Sequence, residues 1–289
     1  MTLVLVFATF AFAEDPTFVG AAAPAAAEPP APETHVKASA GGTFSSGNSE
    51  SVTFNAALDA THKWSSNQFG IVGAAAVGFG ATDANADGFL ASSERCLGLA
   101  NKECDSTAER YSLDARYDRF VSDKSSIYLL AGGFHDKFAG FALRSHVQLG
   151  YANHVVDTED THLKLEAGVD FANEAYIAGV TPASARLLGV QVGLGFDHAF
   201  NESVGFSDAL TVYEPLVTQP DGSAFAPHFT DVRVGNVAAI SAKMTDRLSI
   251  SVSDTLACRN EPIAAPDGIT ESRAPFDNTL AVALVASLL

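Results

Sequence analysis

The sequence predicts an all-β protein, a transmembrane antiparallel β-barrel of about 12 strands with short turns at one end and longer loops at the other. Three observations predict this fold class. Apolar and polar residues alternate along many segments, short and long connections alternate between those segments, and the chain begins with an export-signal pattern. Alternation with a period of two is typical of strands, and about 9–11 residues of tilted strand cross a bilayer.

The first 34 residues differ in composition from the rest of the chain. Residues 1–13, MTLVLVFATFAFA, are apolar and end in Ala-Phe-Ala just before Glu14. This pattern is typical of a secretory signal peptide with its cleavage site, whereas the alternative, a membrane anchor, needs about 20 apolar residues. Residues 14–34 are rich in Ala and Pro, which disfavours helix and sheet and predicts an extended, disordered linker. The barrel is therefore predicted over residues 35–289.

Period-two alternation begins at Val36 and continues to the end of the chain. Leu163, Leu165 and Ala167, for example, share one face of a predicted strand. Lys164 and Glu166 share the opposite face, whereas a helix would mix these residues around its surface. Strands of soluble proteins average about 5–6 residues, so the greater length of these segments favours membrane strands. The predicted strands are residues 36–45, 51–63, 68–80, 109–121, 125–136, 143–156, 161–172, 184–199, 203–214, 230–244, 248–259 and 276–289.

The connections alternate in length. Residues 64–67, 122–124, 157–160, 201–202 and 245–247 are short, and residues 81–108, 173–183, 215–230 and 259–275 are long. Residues 46–50 and 137–142 depart from this alternation, because they are short connections on the long side. If the N-terminus is periplasmic, the short turns lie in the periplasm and the long loops outside the cell, as in outer-membrane barrels. A soluble β-sandwich has no physical reason to keep this alternation.

The charge balance restricts the partners of the protein. The formal net charge is −17, from 34 Asp and Glu against 17 Lys and Arg. Nucleic acid is excluded as a partner because it requires a basic face, and a helix docked on anionic lipid is disfavoured for the same reason. The predicted partners are outer-membrane lipid and lipopolysaccharide, the barrel-assembly machinery during biogenesis, and small solutes or ions if the pore is open. The predicted location is the bacterial outer membrane, after cleavage of the signal peptide.

Two stretches resemble a known family. SSGNSESVTFNAALDA, residues 45–60, contains a Gly-Asn turn at Gly47 and Asn48, and residues 107–171 contain Ala-Glu-Arg-Tyr (108–111) and Leu-Glu-Ala-Gly (165–168). From about residue 36 onwards the chain resembles the family of salt-induced outer-membrane proteins. The resemblance implies an outer-membrane β-barrel, but no substrate and no catalytic residues. The insert at residues 81–106 departs from the family pattern.

A calcium-loop pattern lies inside this insert. DANADGFLASSE, residues 83–94, matches every fixed position of D-x-[DN]-x-[DN]-G-x5-E. Calcium prefers oxygen ligands, so we predict a structural Ca²⁺ site in an extracellular loop. The alternative is a metal-free turn, because Asp, Asn and Gly favour exposed turns for backbone reasons. The predicted ligands are Asp83, Asn85, Asp87, Phe89 through its carbonyl, and Glu94.

The three cysteines suit an oxidising compartment. Cys96 and Cys104 close a short segment of the same loop, and we predict a disulfide between them. Cys258 is left over, either as a small apolar residue on a strand or as a free thiol.

The polar strand faces place charged residues in the lumen of the predicted barrel. These charges could line an aqueous pore and set its ion selectivity, and the small residues Gly168, Gly189, Gly193 and Gly195 are expected to leave room for one. The alternative is a plugged interior in which acids and bases pair, since about twelve strands lie between filled small barrels and open porins. The lumen-lining candidates are Asp59, Asp114, Arg116, Asp118, Arg144, His146, Lys164, Glu166 and Asp170.

These patterns predict a small passive, porin-like diffusion channel with a calcium-binding outer loop. The alternative is a closed structural or salt- and envelope-stress barrel without transport. A lipid hydrolase in the barrel wall is a third hypothesis, but no G-x-S-x-G motif is present, and His135 and Asp136 form the only adjacent pair of interest. We therefore expect no enzymatic activity and no cofactor besides structural calcium.

Overall fold

The computed structural model describes residues 32–45, 51–81, 104–263 and 275–287. These residues form twelve long strands and one strand of two residues, all in a single sheet. The strands are β1 Glu33–Ser45, β2 Ser51–Trp64, β3 Asn67–Gly80, β4 Asp105–Ser122, β5 Ser125–Asp136, β6 Phe141–Asp157, β7 Thr161–Tyr176, β8 Ser184–Ala199, β9 Val204–Pro220, β10 Ala226–Pro227, β11 Arg233–Lys243, β12 Leu248–Arg259 and β13 Phe276–Ser287.

The sheet closes on itself into a barrel. Each long strand pairs antiparallel with the next long strand along the chain, and β13 returns to pair with β1 from Lys37↔Ser287 to Ala40↔Leu284. The short β10 pairs only with the end of β9 and is not part of the wall. Closure leaves no open sheet edge, so the backbone hydrogen bonds of every strand in the wall are satisfied by its neighbours. The predicted antiparallel barrel is confirmed.

Each predicted segment corresponds to one long strand, and the main differences are in the boundaries. β7 continues to Tyr176 and β9 to Pro220, whereas the sequence predicts their ends at residues 172 and 214. Both extensions pair with β8, through Ala175↔Ser184 and Ala185↔Pro220. Backbone pairing with β8 thus prolongs both strands past the last clear alternation of side chains. At the N-terminus, β1 starts at Glu33, two residues before the predicted start of the barrel at residue 35.

The two ends of the barrel differ in the length of their connections. We call the end with residues 65–66, 123–124, 158–160, 200–203 and 244–247 the short-turn end, and the opposite end the long-loop end. The N-terminal start of β1 lies at the short-turn end, because β1 and β2 are joined by residues 46–50 at the long-loop end. This arrangement agrees with the predicted alternation of short and long connections.

The distribution of apolar residues is inverted relative to a soluble protein. Leu113, Leu149 and Leu280 point outward, with 61%, 60% and 63% of their surface exposed. Arg116 and Asp170 point inward and are only 2% and 1% exposed. An apolar outer wall around a polar interior is the arrangement that strands require when they face lipid.

Several predicted features lie outside the described residues. They are the signal peptide at residues 1–13, residues 14–31 of the linker, the calcium loop at residues 83–94 and Cys96. Where the structure does describe the chain, it has no helix with the length and apolar character needed to cross a bilayer.

Candidate functional site: the interior of the barrel

Strand alternation brings all the lumen-lining candidates to the inner face of the barrel. Asp114, Arg116 and Asp118 occupy alternate positions of β4 and are buried, whereas the residues between them face outward. Asp59 continues the inward series of the buried Thr53 and Asn55 and is half-buried. The remaining candidates, Arg144, His146, Lys164, Glu166 and Asp170, lie on the inner faces of β6 and β7.

Four of these charged residues meet towards the short-turn end. We call them the short-turn cluster, which consists of Arg116, Asp118, Lys164 and Glu166. Arg116 donates from Nε and Nη2 to the two carboxylate oxygens of Asp118, at 2.8 and 2.9 Å. Its Nη1 donates to Glu166 Oε2 at 3.0 Å, and Lys164 Nζ lies 2.7 Å from Glu166 Oε1. Two cations thus neutralise two carboxylates. The bidentate contact between Arg116 and Asp118 is one that only an arginine can form.

An aromatic ring fills the space next to this cluster. The guanidinium carbon of Arg116 lies 3.9 Å from the ring centre of Tyr128, a close cation–π contact. Tyr128 is only 2% exposed. The ring is a space-filling element that the alternation of charges does not reveal.

A second group, the long-loop cluster, lies towards the other end. Glu174, which has no exposed surface, accepts hydrogen bonds from Arg233 Nη1 at 2.6 Å and from the Tyr176 hydroxyl at 2.7 Å. Asp231 accepts from Arg233 Nη2 and from Arg259 Nη2, both at 2.7 Å. The long-loop cluster is defined by Arg144, Asp170, Glu174, Tyr176, Asp231, Arg233 and Arg259.

The charges of the long-loop cluster balance. Its three arginines face three carboxylates. The ring of Tyr213 lies between two of the guanidinium groups, 5.2 Å from Arg144 and 5.3 Å from Arg233. Buried charges are tolerated when each is paired and hydrogen-bonded, and every charged side chain of this cluster has at least one hydrogen-bond partner of opposite charge.

His146 links Asp114 on β4 to the long-loop cluster. Its Nε2 lies 2.9 Å from Asp114 Oδ1, and its Nδ1 lies 3.5 Å from Asp170 Oδ1. Asp170 in turn contacts Arg144 at 3.4 Å. Polar contacts therefore extend along the inner wall from β4 across β6 and β7.

The contacts of the long-loop cluster bridge the interior. Arg233 on β11 and Glu174 on β7 are separated around the wall by β8 and β9. At the usual strand spacing this is about 14 Å along the wall, yet their side chains are in hydrogen-bond contact. Only side chains that reach across the lumen can meet in this way.

Residues outside the long strands pack into the same end of the barrel. Val180 and Ile263, from two connections of the long-loop end, pack on Phe141 at the start of β6, and all three are buried. Tyr176 and Ile177 pack against this group, and Arg259 lies over the ring of Phe141. The described connections therefore narrow the mouth of the barrel instead of leaving it open.

The expectation that Gly168 and Gly189 leave room for a pore is wrong. A Cβ atom at Gly168 would lie 2.9 Å from the Tyr128 hydroxyl, and one at Gly189 would lie 2.7 Å from the Tyr213 ring. These glycines accommodate tyrosine rings that lie flat on the inner wall. Gly193 and Gly195 are different, since a Cβ there would make only ordinary contacts at 3.7 Å.

The interior is less filled in its short-turn half. Lys37, on the inner face of β1, is exposed, and Asp59 and Asp197 are half-buried. Gly193 and Gly195 lie in this half of β8. A partly solvated space therefore adjoins the short-turn end, whereas Arg144, Asp170 and Glu174 in the long-loop half are buried.

The remaining predicted sites have separate outcomes. Cys104 is disulfide-bonded and Cys258 is a free cysteine, but Cys96 lies outside the described residues, so its pairing stays a prediction.

His135 contacts the Ala142 carbonyl at 2.8 Å, and Asp136 accepts from the backbone N–H groups of residues 138 and 139. The described part of the chain has no group of three or more His, Cys, Asp and Glu side chains suited to a metal ion.

The alternation of residues in the sequence does not predict most of the long-loop cluster. Glu174 falls in a segment predicted as a loop, although it continues the inward series of Asp170 and Ala172 at two-residue spacing. This two-residue spacing is a sequence signal that could have identified Glu174 as an inward residue. Asp231 and Arg233 are also two residues apart, but no sequence pattern shows that they meet Glu174 across the lumen.

The chain is similar to several solved structures, all at low sequence identity. The translocator domain of the autotransporter NalP from Neisseria meningitidis aligns at 13% identity and a TM-score of 0.38, over 89% of this chain and 87% of that chain. The anion-selective porin from Comamonas acidovorans aligns at 8% identity and a TM-score of 0.37, over 89% and 97%. The Pseudomonas putida toluene transporter TodX aligns at 12% identity and a TM-score of 0.36, over 89% and 88%. No curated protein matches significantly.

The family comparison covers most of the chain. A family model described as a protein of unknown function, DUF481, matches residues 38–285. This match agrees with the resemblance of residues 45–60 and 107–171 to a family without a known function. The chain belongs to the DUF481 family of proteins of unknown function.

Proposed function

We propose that the protein is an integral outer-membrane β-barrel whose interior is sealed, a structural component of the envelope without a permanently open diffusion channel. The outward exposure of Leu113, Leu149 and Leu280 supports the membrane location. The short-turn end would lie in the periplasm and the long-loop end outside the cell. Outer-membrane lipid and lipopolysaccharide would surround the wall, and the barrel-assembly machinery would insert it.

The hydrogen bond between Arg233 and Glu174 is the main observation that supports a sealed interior. It joins strands on different parts of the wall at 2.6 Å, and Glu174 has no exposed surface. In a water-filled channel the lumen charges would keep contact with water. Here acid–base pairs and tyrosine rings occupy the space instead.

A small, porin-like diffusion channel is the second candidate, because the short-turn half is partly solvated. Lys37 is exposed on the inner face, and Gly193 and Gly195 add no side-chain volume. Such a channel would require the long-loop cluster to separate. It would conduct only in a state in which the contact between Arg233 and Glu174 is broken.

Liposome swelling separates the two candidates. Purified full-length protein is refolded into phospholipid vesicles, and insertion is verified by a shift in gel migration between unheated and boiled samples. For a sealed barrel, vesicles placed in an isotonic solution of a small sugar swell no faster than protein-free vesicles. Swelling at the rate of an open general porin in the same assay would refute the sealed interior.

A further inference from the structure

A polar stripe crosses the outer wall of the barrel at β9, β11, β12 and β13. Asn236 donates to Asp208 Oδ1 at 2.8 Å, and Asn278 donates to Asp254 Oδ1 at 3.0 Å. These side chains lie outside the barrel, because the inward positions of the same strands are occupied by buried residues such as Tyr213 and Thr255. The polar stripe is defined as Asp208, Asn236, Asp254 and Asn278.

The stripe is continuous around four neighbouring strands. Asp208 and Asp254 are level with each other, since both pair with Ala238 of the strand between them. Asn236 and Asn278 are also level, since both pair with Leu256. The two levels are two residues apart along the strands, so the four side chains alternate between carboxyl and amide around the wall.

The two carboxyl groups of the stripe lie within the apolar belt, whereas Asn236 and Asn278, the fourth residue of β11 and the third of β13, lie nearer the long-loop end. Asp254 has six residues of β12 before it and five after it. Its neighbours on the outer face are Val252, 43% exposed, and Leu280, 63% exposed. The structure describes no lysine or arginine on the outer faces of these four strands. Lipid therefore offers the two carboxyl groups neither water nor a counter-charge.

We propose that the polar stripe is the contact surface of a homodimer within the membrane, in which it packs against the same stripe of a second copy. A carboxyl group held in an apolar medium is neutral or hydrogen-bonded, and a neutral carboxyl group both donates and accepts, as a carboxamide does. A twofold axis along the membrane normal reverses the order of the stripe on the second copy. Both sides of the contact then carry carboxyl and carboxamide groups, which can hydrogen-bond to each other.

The hydrogen bonds within one copy leave donors and acceptors available for the contact with the second copy. Asn278 donates one of its two N–H groups to Asp254, and each carboxyl group accepts more than one bond. Asn236 already donates to Asp208 and to the Ala209 carbonyl at 3.2 Å, so its contribution to the second copy is its side-chain carbonyl. Polar side chains that meet between membrane segments stabilise association in this way.

Site-specific cross-linking tests the dimer. Val252→Cys lies on the proposed contact surface, and Leu149→Cys lies at an exposed outward position on β6, away from the stripe. Both are made in a Cys258→Ser background, refolded into phospholipid vesicles and treated with a short thiol-to-thiol cross-linker. We expect a covalent dimer from Val252→Cys at a yield at least ten-fold above that from Leu149→Cys. Equal yields from the two variants would overturn the proposal.

A second variant distinguishes a specific contact from crowding. Replacing the whole stripe, Asp208→Leu, Asn236→Leu, Asp254→Leu and Asn278→Leu, leaves the interior untouched and makes the wall uniformly apolar. Gel migration before and after boiling establishes that this variant folds. In the Val252→Cys background it is expected to reduce the dimer yield at least ten-fold. An unchanged yield, or a monomer with a tightly bound lipid in native mass spectrometry of the wild type, would overturn the proposal.

Discussion

Arg233 and Glu174 form a 2.6 Å hydrogen-bonded ion pair although two strands separate them around the barrel wall. Arg233→Ala is expected to destabilise the barrel, because it removes positive charge and a hydrogen-bond donor from the fully buried carboxylate of Glu174. Breaking a buried pair costs about 3–5 kcal/mol. We expect a value near the lower end of that range, about 3 kcal/mol, because Tyr176 and Arg144 still contact Glu174. Urea unfolding of the refolded protein in vesicles measures the change.

Lys243→Ala is the matched control for this substitution. Lys243 pairs with Asp246 at 3.1 Å, and the Asp246 side chain is 98% exposed. Exposed pairs contribute about 0–1 kcal/mol, so the urea midpoint of this variant should stay close to that of the wild type. Equal losses in the two variants would contradict a structural role for the buried pair.

Gly189→Ala is expected to destabilise the barrel through overpacking. Its Cβ would lie 2.7 Å from the Tyr213 ring and 2.7 Å from the Glu214 carbonyl oxygen. Overpacking of this kind costs about 1–3 kcal/mol. Gly193→Ala is the control on the same strand, since its Cβ would make contacts of 3.7 Å. In a urea titration Gly193→Ala should match or exceed the wild type; a loss equal to that of Gly189→Ala would show that the tyrosine does not decide the outcome.

Leu149→Arg tests the membrane orientation of the wall. Leu149 is the ninth of the 17 residues of β6 and points outward, so in a bilayer its side chain lies near the midplane. An arginine there costs about 2–4 kcal/mol on the lipid face of a membrane barrel. On a soluble barrel the same exposed substitution would cost about 0–0.5 kcal/mol. Folding yield and urea stability in vesicles should therefore fall sharply, and a variant as stable as the wild type would contradict lipid contact at this position.

Calcium binding stays a prediction that rests on the pattern at residues 83–94. Titration calorimetry of the full-length protein, first stripped with a chelator, should detect one calcium site with a dissociation constant of about 10⁻⁴–10⁻³ M, as in extracellular calcium modules. Asp83→Ala and Glu94→Ala should each abolish the heat of binding, because each removes a ligand. Asp246→Ala, in a short turn, should leave it unchanged. A wild-type protein without calcium-dependent heat would exclude the site.

The sequence was sufficient for the architecture because the barrel depends on local alternation. The inward face of Asp114, Arg116 and Asp118 follows from a period of two and an apolar opposite face. The packing of the interior could not be predicted in the same way. Which charges meet depends on the register and the curvature of the wall, and these bring Arg233 to Glu174 across 59 residues of sequence.

The glycines show the same limit of local patterns. From sequence, a glycine at position 168 has no volume and suggests an open lumen. The structure places the hydroxyl of Tyr128, from two strands away, 2.9 Å from the Cβ position at Gly168. A small residue marks an open space only where no distant side chain fills it, and sequence alternation contains no information about that.

Single-channel conductance in a planar bilayer tests the sealed interior most directly. Refolded wild-type protein is compared with the double variant Glu174→Ala and Arg233→Ala, which removes both charges and so leaves neither partner buried alone. We expect no stable conductance steps from the wild type and measurable steps from the double variant, because the bridge across the lumen is gone. Stable steps of porin-like size from the wild type would contradict the sealed barrel and favour the diffusion channel.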